Sequence, residues 1–173
     1  MQADPSMPPS GPPKNSPVVW IVVGAVGLCF LCGVGGGAIL FPVFAQAKIA
    51  AKMANSMANL KQAGLAVLTY KSDFDDKFPL NMGSLSDAWP ALQSYAKVSL
   101  PESGNPGHPE FLGNEKLSGV TSTTIVAPNR TYEFFDSAPW TNKKRVMLYV
   151  DSRAKTIKES EFQDGLMNGM VDK

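Results

Sequence analysis

Histidine is nearly missing from this chain: His108, between Gly107 and Pro109, is the only one among 173 residues. That scarcity removes the commonest general base. No G-x-S-x-G, phosphate-binding glycine loop, H-E-x-x-H or paired cysteine cluster compensates for it, so the sequence offers no catalytic constellation, and a non-enzyme is expected. Cysteine is almost as scarce. Cys29 and Cys32 are the only two, and both lie in one apolar run. The remainder of the chain therefore has no disulfide to form and must be held by packing. The Cys29-x-x-Cys32 spacing has no second Cys or His pair beside it, so it reads as two small helix residues and not as a redox or zinc motif. An excess of either charge is absent too: 16 Lys plus Arg face 15 Asp plus Glu, a net charge of +1. No whole-chain electrostatic case for nucleic acid follows.

Charge disappears altogether from Val18 to Leu40, 23 residues without a charged residue, Asn, Gln or Pro. As a helix rising about 1.5 Å per residue, such a run covers roughly 34 Å, enough for a hydrocarbon core of about 30 Å. A transmembrane helix over 18–41 is the expectation, with the lipid bilayer as partner. A cleaved signal peptide competes, because Lys14 precedes the run and Ala45-Gln46-Ala47 follows it, but signal cores span about 7 to 15 residues. Lipidation fits poorly, since Cys29 and Cys32 each follow Leu. Gly33 and Gly37 form a small-xxx-small pair through which two helices can approach closely.

On either side the composition changes. Residues 1–17 hold six prolines and no apolar periodicity, which predicts a disordered tail. Residues 42–72 are rich in helix formers, and Met53, Met57, Leu60, Gly64, Val67 and Leu68 recur at helical spacing, so an amphipathic stalk helix is expected. Pro42 would kink one long rod. Lys48, Lys52, Lys61 and Lys71 are the only charges between Pro42 and Ser72. Lys48 and Lys52 could meet anionic headgroups, although lysines after the span oppose an outward-facing C-terminal part. Residues 73–173 form a small α+β globular domain that takes the stalk as part of its core. Within it the sequence predicts a helix over 89–97, a long irregular loop over 100–119, strands over 123–127, 131–135, 145–151 and 154–158, and a closing helix or turn after Glu159. Asp73, Asp75 and Asp76 concentrate the hard oxygens that calcium requires. They lack the glycine and distant glutamate of an EF-hand, so a solvated carboxylate cluster stands beside calcium, and no other cofactor is expected.

Three segments carry a family resemblance: Leu40-Phe41-Pro42-Val43-Phe44-Ala45-Gln46-Ala47-Lys48, then Asn59-Leu60-Lys61-Gln62-Ala63-Gly64-Leu65-Ala66, then Tyr70 with Asp73-Phe74-Asp75-Asp76-Lys77-Phe78-Pro79. Together they resemble the pseudopilin-like family named for its H-X9-DG motif, akin to type II secretion and type IV pilus pseudopilins. That resemblance implies a pilin-like fold, a long N-terminal transmembrane-plus-stalk helix packed on a small antiparallel sheet. It also implies a structural role in a bacterial inner membrane, with a cytoplasmic N-terminus and an outward C-terminal domain, interacting with itself or with pilin and secretion proteins. The sequence departs from the family where processing occurs. Trp20 stands at the expected peptidase glycine, Ala25 at the expected acidic residue, Thr141 at the motif histidine, and Ser152 follows Asp151 where glycine is expected. An unprocessed subunit follows, or else a binding or sensor module that has lost fibre assembly.

Overall fold

A computed structural model describes the backbone of residues 17–167 and the side-chain surroundings of residues 17–28 and 42–165. Two compact units divide the chain, Met1–Gln46 and Ala47–Lys173. The proline-rich stretch 1–16 lies outside the described residues, and so do the surroundings of Cys29, Cys32, Gly33 and Gly37.

Helix α1 runs from Pro17 to Asp73, 57 residues, with Pro42 inside it. Among the described residues no helix is long and apolar enough to cross a membrane, which corrects the transmembrane helix expected over 18–41. From Lys48 onward a lysine recurs along the helix. The single-pass, inner-membrane placement drawn from that span falls with it. The α+β class stands, as helices and one four-stranded antiparallel sheet.

In the second unit α1 buries Met53, Ser56, Leu60, Ala63, Val67 and Lys71, the three-and-four spacing that puts side chains on one helix face. This face meets Phe134, Val146, Leu148 and Val150 in the main core. Contact is closest at Gly64, where an added Cβ would stand 2.9 Å from Leu148 Cδ2. The helix ends because Asp75 and Asp76 turn into the left-handed region, φ 51° and 60°, and the Asp76 amide donates back to the Lys71 carbonyl at 2.9 Å. A six-residue closure of this kind is a common C-terminal cap.

Helix α2 (Leu85–Leu92) starts where the Ser84 hydroxyl accepts from the Asp87 amide at 3.1 Å, four residues before the expected start at Trp89. Its cap and the burial of Leu85 and Ala88 outweigh the preference of Pro90 for a first turn. Strands β1 (Phe111–Gly113), β2 (Tyr132–Asp136), β3 (Lys144–Tyr149) and β4 (Ala154–Lys158) pair in sequence order, all antiparallel. Strand β1 replaces part of the expected loop. It is formed by pairing with β2 and requires Gly113, where a Cβ would run into the Met82 carbonyl. The strand expected over 123–127 is instead a single 3-10 turn at Ser122–Thr124, closed by the Thr124 hydroxyl donating to the Thr121 carbonyl. No strand pairs with it, and Val126 is 89% exposed. Helix α3 (Glu159–Met167) lays Phe162 on the other sheet face with Tyr132, Met147, Tyr149 and Ile157.

Candidate functional site

The first candidate is the surface of α1 in the first unit. Val18, Val19, Trp20, Ile21, Val22, Val23, Val26 and Leu28 are all exposed, Trp20 at 68%. They occupy almost every helical position from 18 to 28, so no polar face balances an apolar one. A helix apolar all round is one that something covers. Gly24 and Gly27 have open space around them. Gly33 and Gly37, the expected packing pair, lie outside the described surroundings.

Asp73, Asp75 and Asp76 come together at the end of α1, but among the described residues no group of three or more His, Cys, Asp or Glu is arranged to hold a metal ion. Asp75 and Asp76 form the helix cap. Partial burial, together with a hydrogen bond to Asp73, raises the Tyr95 hydroxyl above its ordinary value, so Asp73 faces a donor inside the protein. Tyr70 stacks on Phe74 at 4.2 Å and meets Tyr95 edge-on at 5.7 Å. These contacts give the cluster a structural use.

The buried polar groups are largely engaged with one another. Asp136 accepts from the Ser103 hydroxyl at 2.5 Å, the Trp140 indole at 2.6 Å and the Val146 amide at 2.9 Å. Burial still raises its carboxyl above the ordinary range against those donors. Arg145, on β3, donates twice to Glu159 at 2.9 Å, once to the Asp136 carbonyl, and stacks 4.2 Å over the Phe162 ring. The Arg145 hydrogen bonds draw the Glu159 carboxyl below its ordinary value. Ser103 also meets Ser56 of α1 at 3.4 Å, and the Ser56 hydroxyl accepts from the Gly104 amide at 2.7 Å. This network ties the 101–110 loop to α1 and to the sheet. Glu133 stands apart: it is buried, its Oε1 has no hydrogen-bond partner, and burial pushes it up to about 8 against the opposing influence of Lys71. Lys71 is itself buried, 4.5 Å over the Phe78 ring. His108 is in an exposed turn and faces none of these groups.

A cleft of about 380 Å³ opens at the β3–β4 hairpin, lined by Lys61, Asn129, Tyr149, Ser152, Arg153 and Lys155 among others. Arg153 donates to Asp151 at 2.6 Å and to the Asn129 carbonyl at 3.2 Å. Lys155 lies 4.0 Å from Glu161. Burial raises the Tyr149 hydroxyl above its ordinary value.

Neither the network nor the cleft was anticipated from the sequence. Asp136 does carry a readable signal, since an acid inside an otherwise aromatic strand must be satisfied by partners. The cleft has no such signal, because Lys61, Asn129 and Arg153 are brought together only by the fold.

No family model, curated protein or solved structure matches the chain.

Proposed function

We propose that the protein is a non-catalytic, pilin-like structural subunit whose copies associate through α1 of the first unit. The observation that carries this reading is the exposed apolar surface of Val18 to Leu28 on helix α1 of the first unit. Each large apolar side chain removed from water contributes roughly 1.5–3 kcal/mol. Eight of them, packed helix against helix, supply an association energy that a single exposed helix forgoes. The resemblance of residues 38–79 to the pseudopilin-like family supports a structural role. A structural role also fits the engagement of these charged groups inside the fold: the Asp136 carboxylate accepts from Ser103, Trp140 and Val146, and Arg145 donates to Glu159.

Sedimentation of the full chain tests the proposal. Wild type is expected as oligomers, and a triple substitution Val19→Lys, Val23→Lys, Val26→Lys should shift it toward monomer while near-UV circular dichroism of the second unit stays unchanged. A monomeric wild type would refute it. A binding module that keeps the fold without assembling is the second reading, favoured by the hairpin cleft.

A further inference from the structure

The hairpin cleft has the chemistry of an anion site, and its residues are partly organised in advance. Arg153 is the centre. Its Nε is held by Asp151 and its Nη2 by the Asn129 carbonyl, which fixes the guanidinium plane before any ligand arrives and leaves Nη1 without a hydrogen bond among the described residues. A planar fork already held in place loses less conformational entropy when it captures an oxyanion. Lys61, from α1, adds an ammonium with no ion pair or hydrogen bond among the described residues. Tyr149, Ser152 and Asn129 complete the polar lining.

A second feature points to the same place. Ser152 sits at φ 66°, the left-handed region in which glycine is at ease and other residues are strained by about 1–2 kcal/mol. A strained non-glycine residue persists where its surroundings hold it, and such residues gather at ligand sites. Here the strained residue is part of the cleft lining. Asp151 faces Arg153 and Glu161 faces Lys155, and among the described residues no acidic group pairs with Lys61. Lys61 and the outer edge of Arg153 are thus left for an anion from solution.

We propose that this cleft binds a phosphate-bearing ligand, a phosphomonoester or inorganic phosphate. Phosphate suits it better than a carboxylate does, because a tetrahedral dianion presents three strong acceptors. Lys61 on α1 and Arg153 on the hairpin can approach it from two sides, whereas a carboxylate would use the Arg153 edge alone. The volume lies at the small-ligand end of the range known for pockets. The proposal does not rest on self-assembly, since every residue in it belongs to the second unit.

Isothermal titration of the full chain at low ionic strength, with inorganic phosphate, phosphoserine and succinate in separate runs, tests it. Phosphate and phosphoserine should each saturate at one per chain. Lys61→Ala and Arg153→Ala should each weaken both by about tenfold or more, the scale of one charge-assisted contact, and Arg153→Lys should fall between. Both side chains are on the surface, so the melting temperature should not move, and each variant can be confirmed as folded. Failure of phosphate to saturate would overturn the proposal. So would unchanged affinity in Lys61→Ala and Arg153→Ala, or succinate binding as tightly as phosphate.

Discussion

Gly64 offers the sharpest perturbation of the helix–sheet contact. A methyl group there would stand 2.9 Å from Leu148 Cδ2 and 3.3 Å from Cδ1, inside van der Waals contact. Leu148 is completely buried within the main core, so its end cannot swing into water. Two opposing terms decide the outcome. Alanine gains about 1 kcal/mol over glycine in a helix interior, and overpacking a filled core costs typically 1–3 kcal/mol. Gly64→Ala should therefore destabilise by about 1 kcal/mol net, and Gly64→Val by distinctly more. Leu148→Ala alone should cost about 2–5 kcal/mol through the cavity it leaves. In the double variant the new methyl enters the space that Leu148 vacated, so the combined cost should fall short of the sum by about 1 kcal/mol or more, within the range of coupling between touching residues. Urea denaturation followed by Trp89 and Trp140 fluorescence supplies all four values, with constant m confirming that stability alone has changed. Strict additivity would refute the close packing of α1 on β3.

Other perturbations follow from the buried polar groups and the helix cap. The Glu133 carboxyl is pushed up to about 8 from 4.5 in the folded protein, so the native state holds a proton that the unfolded chain has released. Stability should be fullest below about pH 4.5 and fall by up to about 1 kcal/mol per pH unit as pH rises to 8. Glu133→Gln should flatten that slope in urea titrations at several pH values, and an unchanged slope would exclude Glu133 as its source. Asp136→Asn leaves a single acceptor oxygen for three inward donors and should cost about 2–4 kcal/mol, measured by the same denaturation. Asp75→Gly, at φ 51°, should raise stability by roughly 1 kcal/mol by relieving the left-handed cap; a lower melting temperature would mean that the carboxylate itself is needed.

Periodic features were legible in the sequence, and pairings between distant segments were not. Of the stripe expected from Met53 to Leu68, Met53, Leu60, Gly64 and Val67 lie on the buried face, Met57 is half-buried, and Leu68 is exposed. Val146, Leu148 and Val150 alternate with Met147 and Tyr149, and the two sets lie on opposite faces of β3. Strand β1 is three residues long and owes its existence to β2 and to the Met82 carbonyl behind Gly113, so nothing within Phe111–Gly113 announces it. Thr123 to Ala127 shows the converse: β-branched residues favour a strand, but without a neighbour to pair they close a turn. Asp75 and Asp76 look like ligands in a list of residues and act as a helix cap in space. The expected membrane span rests on the length of the uncharged run from Val18 to Leu40. Among the described residues no helix is long and apolar enough to cross a membrane, and lysines follow the run from Lys48 onward.

The account stands or falls on whether copies meet along α1. Gly24→Cys and Gly27→Cys, each in a Cys29→Ser, Cys32→Ser background, place a thiol where there is open space. Mild oxidation of the full chain at micromolar concentration, read on a non-reducing gel, asks the question directly. Copies packed through this helix should give disulfide-linked dimers at one or both positions, abolished by Val19→Lys, Val23→Lys, Val26→Lys. Monomer alone at both positions would contradict association through α1.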